Sequence, residues 1–225
     1  MAVRKGRPRA RRGKGERARA APGETPEAAI IEAALALAAE RGWSRVSLNA
    51  IAERAGVSLK TLHARFPCKE AIPCAFARRI DEAVLAARDP ELAQEPARER
   101  LFAVLMARLD ALKPYKAGVR ALVRAACVDP VTLLGGALQL ASSMAWMLEA
   151  AELSSAGPAG ALRIKGLAAV HLATLRVFLA DDSEDLAPSM AALDRNLRRA
   201  ERLALLFEGR RSRRRGAEAD EAAPG

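Results

Sequence analysis

The sequence predicts an all-α protein in which a small three-helix head precedes a larger helical bundle. Ala, Leu, Arg and Glu dominate its 225 residues and aromatic residues make up only 4%, a composition that favours helix. Apolar residues recur three or four positions apart, as they do on one face of a helix. Capping residues and prolines separate these apolar segments from one another. Hydrophobic residues form 51% of the chain, which is enough for a substantial core.

The three helices of the head are predicted from the residues at their ends. Three polar N-caps are expected, at Thr25, Ser47 and Ser58. Pro26 stands at a first helical position, where its missing N–H leaves no bond unmade. Gly42 is expected to stop the first helix and Gly56 the second. Pro67 closes the third helix, which is predicted over 59–66.

The rest of the chain is predicted to form longer helices. A fourth helix should run from Lys69 to about residue 88, with its first turn bent or loosened by Pro73. Further prolines separate the apolar segments that follow. The later helices are expected near 97–112, 115–127, 131–152, 160–180 and 188–208.

The net charge of +10 is concentrated at the N-terminus. Residues 1–22 hold nine basic residues and one acidic residue, so they carry +8 of that charge. This segment lacks apolar periodicity and is predicted to be disordered. Its Gly-Arg-Pro run resembles an AT-hook, in which Pro8 would keep the chain extended while Arg7 and Arg9 enter the minor groove of A·T-rich DNA. The alternative is a solvated basic arm that binds phosphates without reading sequence.

The corner between the second and third helices has the pattern of a helix-turn-helix. Gly56 permits the positive φ that reverses the chain, and Ala52 and Val57 are compact enough for the two helices to cross closely. The third helix would expose a polar face formed by Lys60, Thr61, His63 and Arg65. Such a face, behind a serine-capped N-terminus, suits the major groove of DNA. The alternative is an ordinary corner of a helical bundle.

The runs "IIEAALALAAERGW" and "VSLNAIAERAGVSLKTLHARFPCKEA" resemble the N-terminal DNA-binding domain of the TetR family of transcriptional repressors. The resemblance implies a homodimer on double-stranded DNA, with His63 where the family usually has a phosphate-contacting tyrosine. The expected DNA-binding residues are Arg7, Arg9, Ser47, Asn49, Ser58, Lys60, Thr61, His63, Arg65 and Lys69. The predicted divisions are a disordered basic arm (1–23), a helix-turn-helix domain (24–70), a helical ligand-binding and dimerisation domain (71–208) and a disordered tail (209–225).

The C-terminal two-thirds resembles a second group, the lipid-binding accessory proteins of ubiquinone biosynthesis, which share the TetR-like scaffold. The matching runs are "RLDALKPYKAGVRAL", "SSMAWMLEAAE" and "HLATLRVFLADDSEDLAPSMAALDRNL". Both resemblances imply a cavity for an apolar or amphiphilic small molecule. The residues expected to line it are Leu138, Met144, Trp146, Met147, Val170 and Leu175, although each of them is equally typical of bundle core. The alternative function is a lipid- or isoprenoid-binding accessory protein with a relic helix-turn-helix.

Several other functions are disfavoured by the residues present. The sequence has no recognisable nucleophile–base pair, phosphate-binding glycine loop or metal-ligand spacing, so we expect no enzyme activity, cofactor or metal. Its three cysteines are unpaired in pattern, and neither a signal peptide nor an apolar run of membrane-span length is expected, which together favour the cytoplasm. The amphipathic last helix is predicted to pack in a dimer, with an anionic membrane surface as its alternative.

Overall fold

The computed structural model describes residues 25–221, with side chains described as far as Leu205. Within that range the regular structure is entirely helical, with nine α-helices and three short 3-10 helices. The α-helices are α1 (Pro26–Arg41), α2 (Leu48–Arg54), α3 (Leu59–Arg65), α4 (Ala71–Ala86), α5 (Ala97–Leu112), α6 (Lys116–Ala126), α7 (Pro130–Ala150), α8 (Gly157–Phe178) and α9 (Ala187–Glu221). The 3-10 helices are Trp43–Arg45, Pro90–Gln94 and Lys113–Tyr115. The predicted all-α fold class is confirmed.

The ends of the first helices are set by the side chains that the sequence indicates. Thr25 Oγ1 accepts a hydrogen bond from the Ala28 N–H at 3.3 Å, and Ser47 Oγ accepts one from the Ala50 N–H at 3.2 Å. Gly42 ends α1 with a φ of 81°, a left-handed conformation that glycine adopts at little cost. These caps satisfy backbone donors that the first turn of a helix would otherwise leave unpaired.

Helices α1 to α4 form the head, which packs around one apolar core. Its largest fully buried side chains are Ile30, Leu37, Ile51, Leu62 and Ile72. The same apolar cluster continues beyond the head to α6 and to the end of α8. The head therefore rests directly on part of the remaining helices, which we call the body (α5 to α9).

The contact between head and body depends on a glycine in α6. A Cβ atom at Gly118 would lie 3.0 Å from the carbonyl oxygen of Leu35 in α1 and 3.2 Å from the Leu35 Cβ. Both distances are shorter than an ordinary van der Waals contact. Gly118 thus allows the backbones of α6 and α1 to approach more closely than any other residue would.

A second apolar cluster fills the body between α5, α7, α8, α9 and the end of α4. Its buried members are Val84, Leu105, Met144, Met147, Leu148, Leu167, Val170, Leu193 and Leu197. Helix α4 belongs to both clusters, because Phe76 and Ile80 pack in the first and Val84 in the second. Helix α4 therefore packs in both the head and the body, and the predicted division at residue 70 stays a prediction.

Two predictions about the later helices are wrong. Helix α9 continues to Glu221, past its predicted end near residue 208, because the Arg, Ala and Glu residues beyond Gly209 are strong helix formers. Among the described residues, α7 is the one helix long and apolar enough to cross a membrane, with a mean hydropathy of 1.4, whereas no such run was expected. Length and composition do not make it a span, since helices of soluble bundles pass the same test.

Candidate nucleic-acid interface and effector cavity

The corner between α2 and α3 has the geometry of a helix-turn-helix. Gly56 has a φ of 68°, as the sequence predicts, and the Val57 N–H donates to the carbonyl oxygen of Ala52 at 3.0 Å. Ala52 is buried where α2 meets α3. The reversal leaves α3 on the surface of the head with one face in the core and one in solvent.

The outer face of α3 carries free positive charge. Lys60, His63 and Arg65 are exposed, while Leu62 and Phe66 are buried beneath them. None of the ion pairs formed within the described residues uses Lys60 or Arg65. Their cations are therefore available to phosphate oxygens or to base edges.

The remaining predicted contacts of the head are arranged around the two serine caps. Ser58 Oγ accepts a hydrogen bond from the Thr61 N–H at 3.0 Å and lies 2.9 Å from the Thr61 hydroxyl. Thr61 is half-buried, and both its N–H and its hydroxyl contact the capping Ser58 Oγ. Ser47 and Asn49 are exposed at the start of α2, which packs against α3.

Leu59 also lies on the outer face of α3, and it was not among the residues predicted to contact DNA. It begins α3 next to Ser58, and 49% of it is exposed. An exposed leucine among polar residues is suited to contact the methyl group of a thymine. The signal for it was present, because Leu59 interrupts the otherwise polar outer face of α3.

Lys69 has a structural contact that was not expected. Its Nζ donates to the carbonyl oxygen of Trp43 at 2.7 Å and lies 4.4 Å from the centroid of the indole ring. Burial lowers the pKa of this lysine. The phosphate contact expected of Lys69 stays a prediction, and it requires the ammonium to leave or share this position. Arg7 and Arg9 lie outside the described residues, so their minor-groove contacts also stay predictions.

The six residues predicted to line an effector cavity do not come together around one. Trp146 and Leu138 are 54% and 66% exposed on the outer side of α7. The other four are buried but divided between the two cores, with Leu175 in the first and Met144, Met147 and Val170 in the second. Leu138 lies in the largely exposed N-terminal half of α7, and Trp146 lies on the outward side of its C-terminal half, opposite the buried Met144 and Met147. The ligand contacts expected of the six residues stay predictions.

The body instead contains a buried polar cluster that joins four helices. Arg108 of α5 donates to one carboxylate oxygen of Asp81 in α4, and the Ser143 hydroxyl of α7 donates to the other at 2.7 Å. All three are buried, as is His171 of α8. Burial, together with the nearby Arg108 cation, lowers the pKa of His171 to about 3. The histidine is therefore neutral at physiological pH.

A cavity of about 70 Å³ lies between the end of α4, the 3-10 helix Pro90–Gln94, α5 and the end of α7. Its apolar wall is formed by Val84, Leu92, Ala103, Val104, Ala107 and Ala150. Four charged residues complete the lining, namely Arg88, Asp89, Arg100 and Glu152. An apolar wall with a few charged groups is typical of a small-molecule site.

Comparison with known proteins agrees with this architecture. The family model described as "Bacterial regulatory proteins, tetR family" matches residues 30–72, which span most of α1 to the start of α4. A search of curated proteins gives no match.

Solved structures extend the similarity to the body. A TetR transcriptional regulator from Nitrosomonas europaea is 25% identical, and the match covers 79% of this chain and 99% of that one with a TM-score of 0.64. A TetR regulator from Rhodococcus sp. RHA1 is 20% identical over 78% of this chain and 94% of that one, with a TM-score of 0.58. Together these matches support a regulator of the TetR family, with the head corresponding to its helix-turn-helix domain and the body to its helical C-terminal domain.

Proposed function

We propose that this DNA-binding transcriptional regulator is a cytoplasmic repressor that binds its operator as a homodimer and leaves it when a small amphiphilic molecule binds the body. The observation that carries the proposal is the outer face of α3, where Lys60 and Arg65 are exposed and unpaired. The family assignment supports DNA binding in general, and the repressor role is our own inference from the resemblance.

An outward face of α8 supports the homodimer. Leu162 and Leu172 are 61% and 51% exposed there, and a Cβ at Gly166 would meet nothing within 4 Å. An apolar stripe with a small residue at its centre permits the close approach of a second helix. Two-fold pairing on this face would present two copies of α3, which suits half-sites about 34–36 Å apart.

Helix α4 connects the cavity in the body to the head. Its first half packs in the head, and the cavity is lined by Val84 of its last turn and by Arg88 just after it. A ligand acts only if it binds one position of α4 better than another, because an equilibrium shifts by no more than the difference in affinity. A ligand that pushes on this last turn meets that requirement.

Removing the two free cations of α3 tests the DNA-binding surface. Lys60→Ala with Arg65→Ala should weaken binding to the protein's own upstream DNA by roughly 1–3 kcal/mol for each lost base contact. The matched control is Arg124→Ala with Arg199→Ala, which removes the same charge from exposed positions on α6 and α9. Gel-shift titrations at several salt concentrations measure both. Equal loss in the two double variants would show that only net charge matters, and a reporter gene decides between repression and activation.

The alternative, a lipid-binding accessory protein of quinone biosynthesis, finds less support. The cavity of about 70 Å³ between α4 and α5 holds roughly five to seven water-sized positions, far fewer than an isoprenoid chain needs. The larger hollow of about 360 Å³ between α5 and α9 is more open to solvent. The outer face of α3 also carries two exposed cations, Lys60 and Arg65, that form no ion pair within the described residues. A shift assay without specific binding to any upstream fragment would favour this alternative.

A further inference from the structure

The charged side of the cavity contains two arginines that share one carboxylate. Arg88, just beyond the end of α4, and Arg100, in α5, both pair with Glu152, which follows the end of α7. The Arg100 Nη1 lies 3.5 Å from Glu152 Oε2 and donates to the carbonyl oxygen of Ala93 at 3.2 Å. The three side chains together carry a net charge of +1. Asp89, the fourth charged residue of the lining, instead accepts a hydrogen bond from the Glu91 N–H at 2.9 Å, so one positive charge of the arginine pair has no paired carboxylate.

One nitrogen of this group has no partner. The Nε of Arg100 is buried and makes no hydrogen bond within the described residues. A buried donor without an acceptor is costly and is rare in native proteins. The Nε of Arg108 is likewise unpartnered within the described residues, but only Arg100 lines the cavity, where a bound acceptor would satisfy its Nε.

Glu152 is held in a conformation that disfavours its own side chain. It follows α7 with a φ of 56°, and the next residue, Leu153, donates its N–H to the carbonyl oxygen of Leu148 at 2.9 Å. This is the position where helices usually end in glycine. A glutamate there is strained, and strained residues are typical of functional sites. Its carboxylate reaches the two arginines in spite of that strain.

We propose that this cavity is the effector site and that it binds a small monocarboxylate whose short apolar chain lies along Val84, Val104 and Ala107. The effector's carboxylate would take the place of Glu152 at Arg88 and Arg100 and would accept a hydrogen bond from the free Arg100 Nε. The group already seated on the arginines is a carboxylate, which is why we choose a carboxylate over a phosphate. This inference rests on the proposed function, because it identifies the ligand to which that regulator responds.

The exchange would also change how α4 is held. Arg88 connects the end of α4 to the segment after α7 through its ion pair with Glu152. A ligand that displaces Glu152 breaks this tie and places its chain against Val84, one turn earlier. The last turn of α4 then has a new set of contacts, and its first half belongs to the reading head.

Calorimetric titration of the full-length protein tests the ligand class. The probes are valerate, 1-pentanol and pentylamine, which share a chain and differ in charge. Valerate has about seven non-hydrogen atoms, close to the number of water-sized positions in the cavity. Valerate should bind about tenfold or more tightly than 1-pentanol, and pentylamine should not bind. Equal affinity for the acid and the alcohol would overturn the proposal.

Two variants move valerate affinity in opposite directions. Arg100→Met should weaken binding about tenfold or more, because it removes the free Nε and half of the cationic pair. Glu152→Gly should strengthen binding severalfold, because glycine suits the backbone and the competing carboxylate is gone. Arg124→Met is the control, since it removes an exposed arginine remote from the cavity, and it should change nothing. If Glu152→Gly binds valerate no better than the unmodified protein, the carboxylate exchange is wrong even where Arg100→Met fails to fold.

The DNA assay separates this inference from the proposed function. Valerate that binds, responds to both variants and leaves the DNA complex unchanged would support the site and refute its role in release. Intact operator binding with no valerate binding would refute the site and leave the regulator standing.

Discussion

The helix caps of the head and the buried polar cluster of the body are interactions of different range. In the head, the contacts that set the starts of α2 and α3 are local, since Ser47 and Ser58 cap helices that begin at the next residue. In the body, the buried pair of Asp81 and Arg108 joins residues 27 positions apart, and the bond from Ser143 to Asp81 spans 62. Local contacts leave a readable pattern in the sequence, whereas distant ones depend on the fold itself.

This comparison predicts that removing the arginine of a buried ion pair lowers the free energy of unfolding far more than removing the arginine of an exposed one. Arg108→Met should lower the free energy of unfolding by about 3–5 kcal/mol, because it leaves the Asp81 carboxylate buried without its cation. Arg54→Met in the head should lower it far less, since the pair of Arg54 with Glu40 is exposed and screened by water. Urea unfolding at neutral pH measures both. Similar losses in the two variants would show that the body does not depend on its buried pair.

The buried histidine makes the body sensitive to pH. The pKa of His171 falls from 6.5 to about 3 in the folded protein, so the unfolded chain binds a proton first as pH decreases. Stability should therefore be constant above about pH 6.5 and decline below it by up to about 1.4 kcal/mol per pH unit. His171→Leu should flatten this decline. A wild-type stability that is level from pH 7 to pH 5 would contradict the neutral buried state.

The sequence predicted the head more fully than the body for the same physical reason. Caps at Thr25, Ser47 and Ser58 and the positive φ of Gly56 follow from neighbouring residues, and all four are confirmed. The helices of the body were also predicted, because apolar period and proline position are local signals. The faces that these helices bury were not, since Trp146 lies in an apolar helix but is more than half exposed. The cavity was missed because Arg88, Arg100 and Glu152 converge only in the folded protein.

Substitutions at two glycines test how closely the head packs against the body. Gly118→Ala should destabilise the protein by about 1–3 kcal/mol, because its new Cβ would press on Leu35 of α1. Gly136→Ala in α7 is the matched control, since a Cβ there would meet nothing within 4 Å. That change should stabilise α7 by up to about 1 kcal/mol. Thermal unfolding of both variants tests the prediction, and two stabilised variants would show that α6 has room to move away from α1.

The smallest expected effect separates folding from DNA recognition within the head. Ser58→Ala and Thr25→Ala each remove a side-chain cap, so each should lower the free energy of unfolding by about 1 kcal/mol.

The effects of these two substitutions on operator binding should differ. Ser58 begins α3 and lies 2.9 Å from the Thr61 hydroxyl, so its loss should loosen the first turn of the reading helix and weaken specific binding severalfold. Thr25 caps α1, a different helix, and its loss should leave affinity unchanged at temperatures where the head is folded. Chemical unfolding and gel-shift titration on the same samples compare the two variants. Equal loss of affinity in both would mean that head stability, and not the geometry of α3, limits binding.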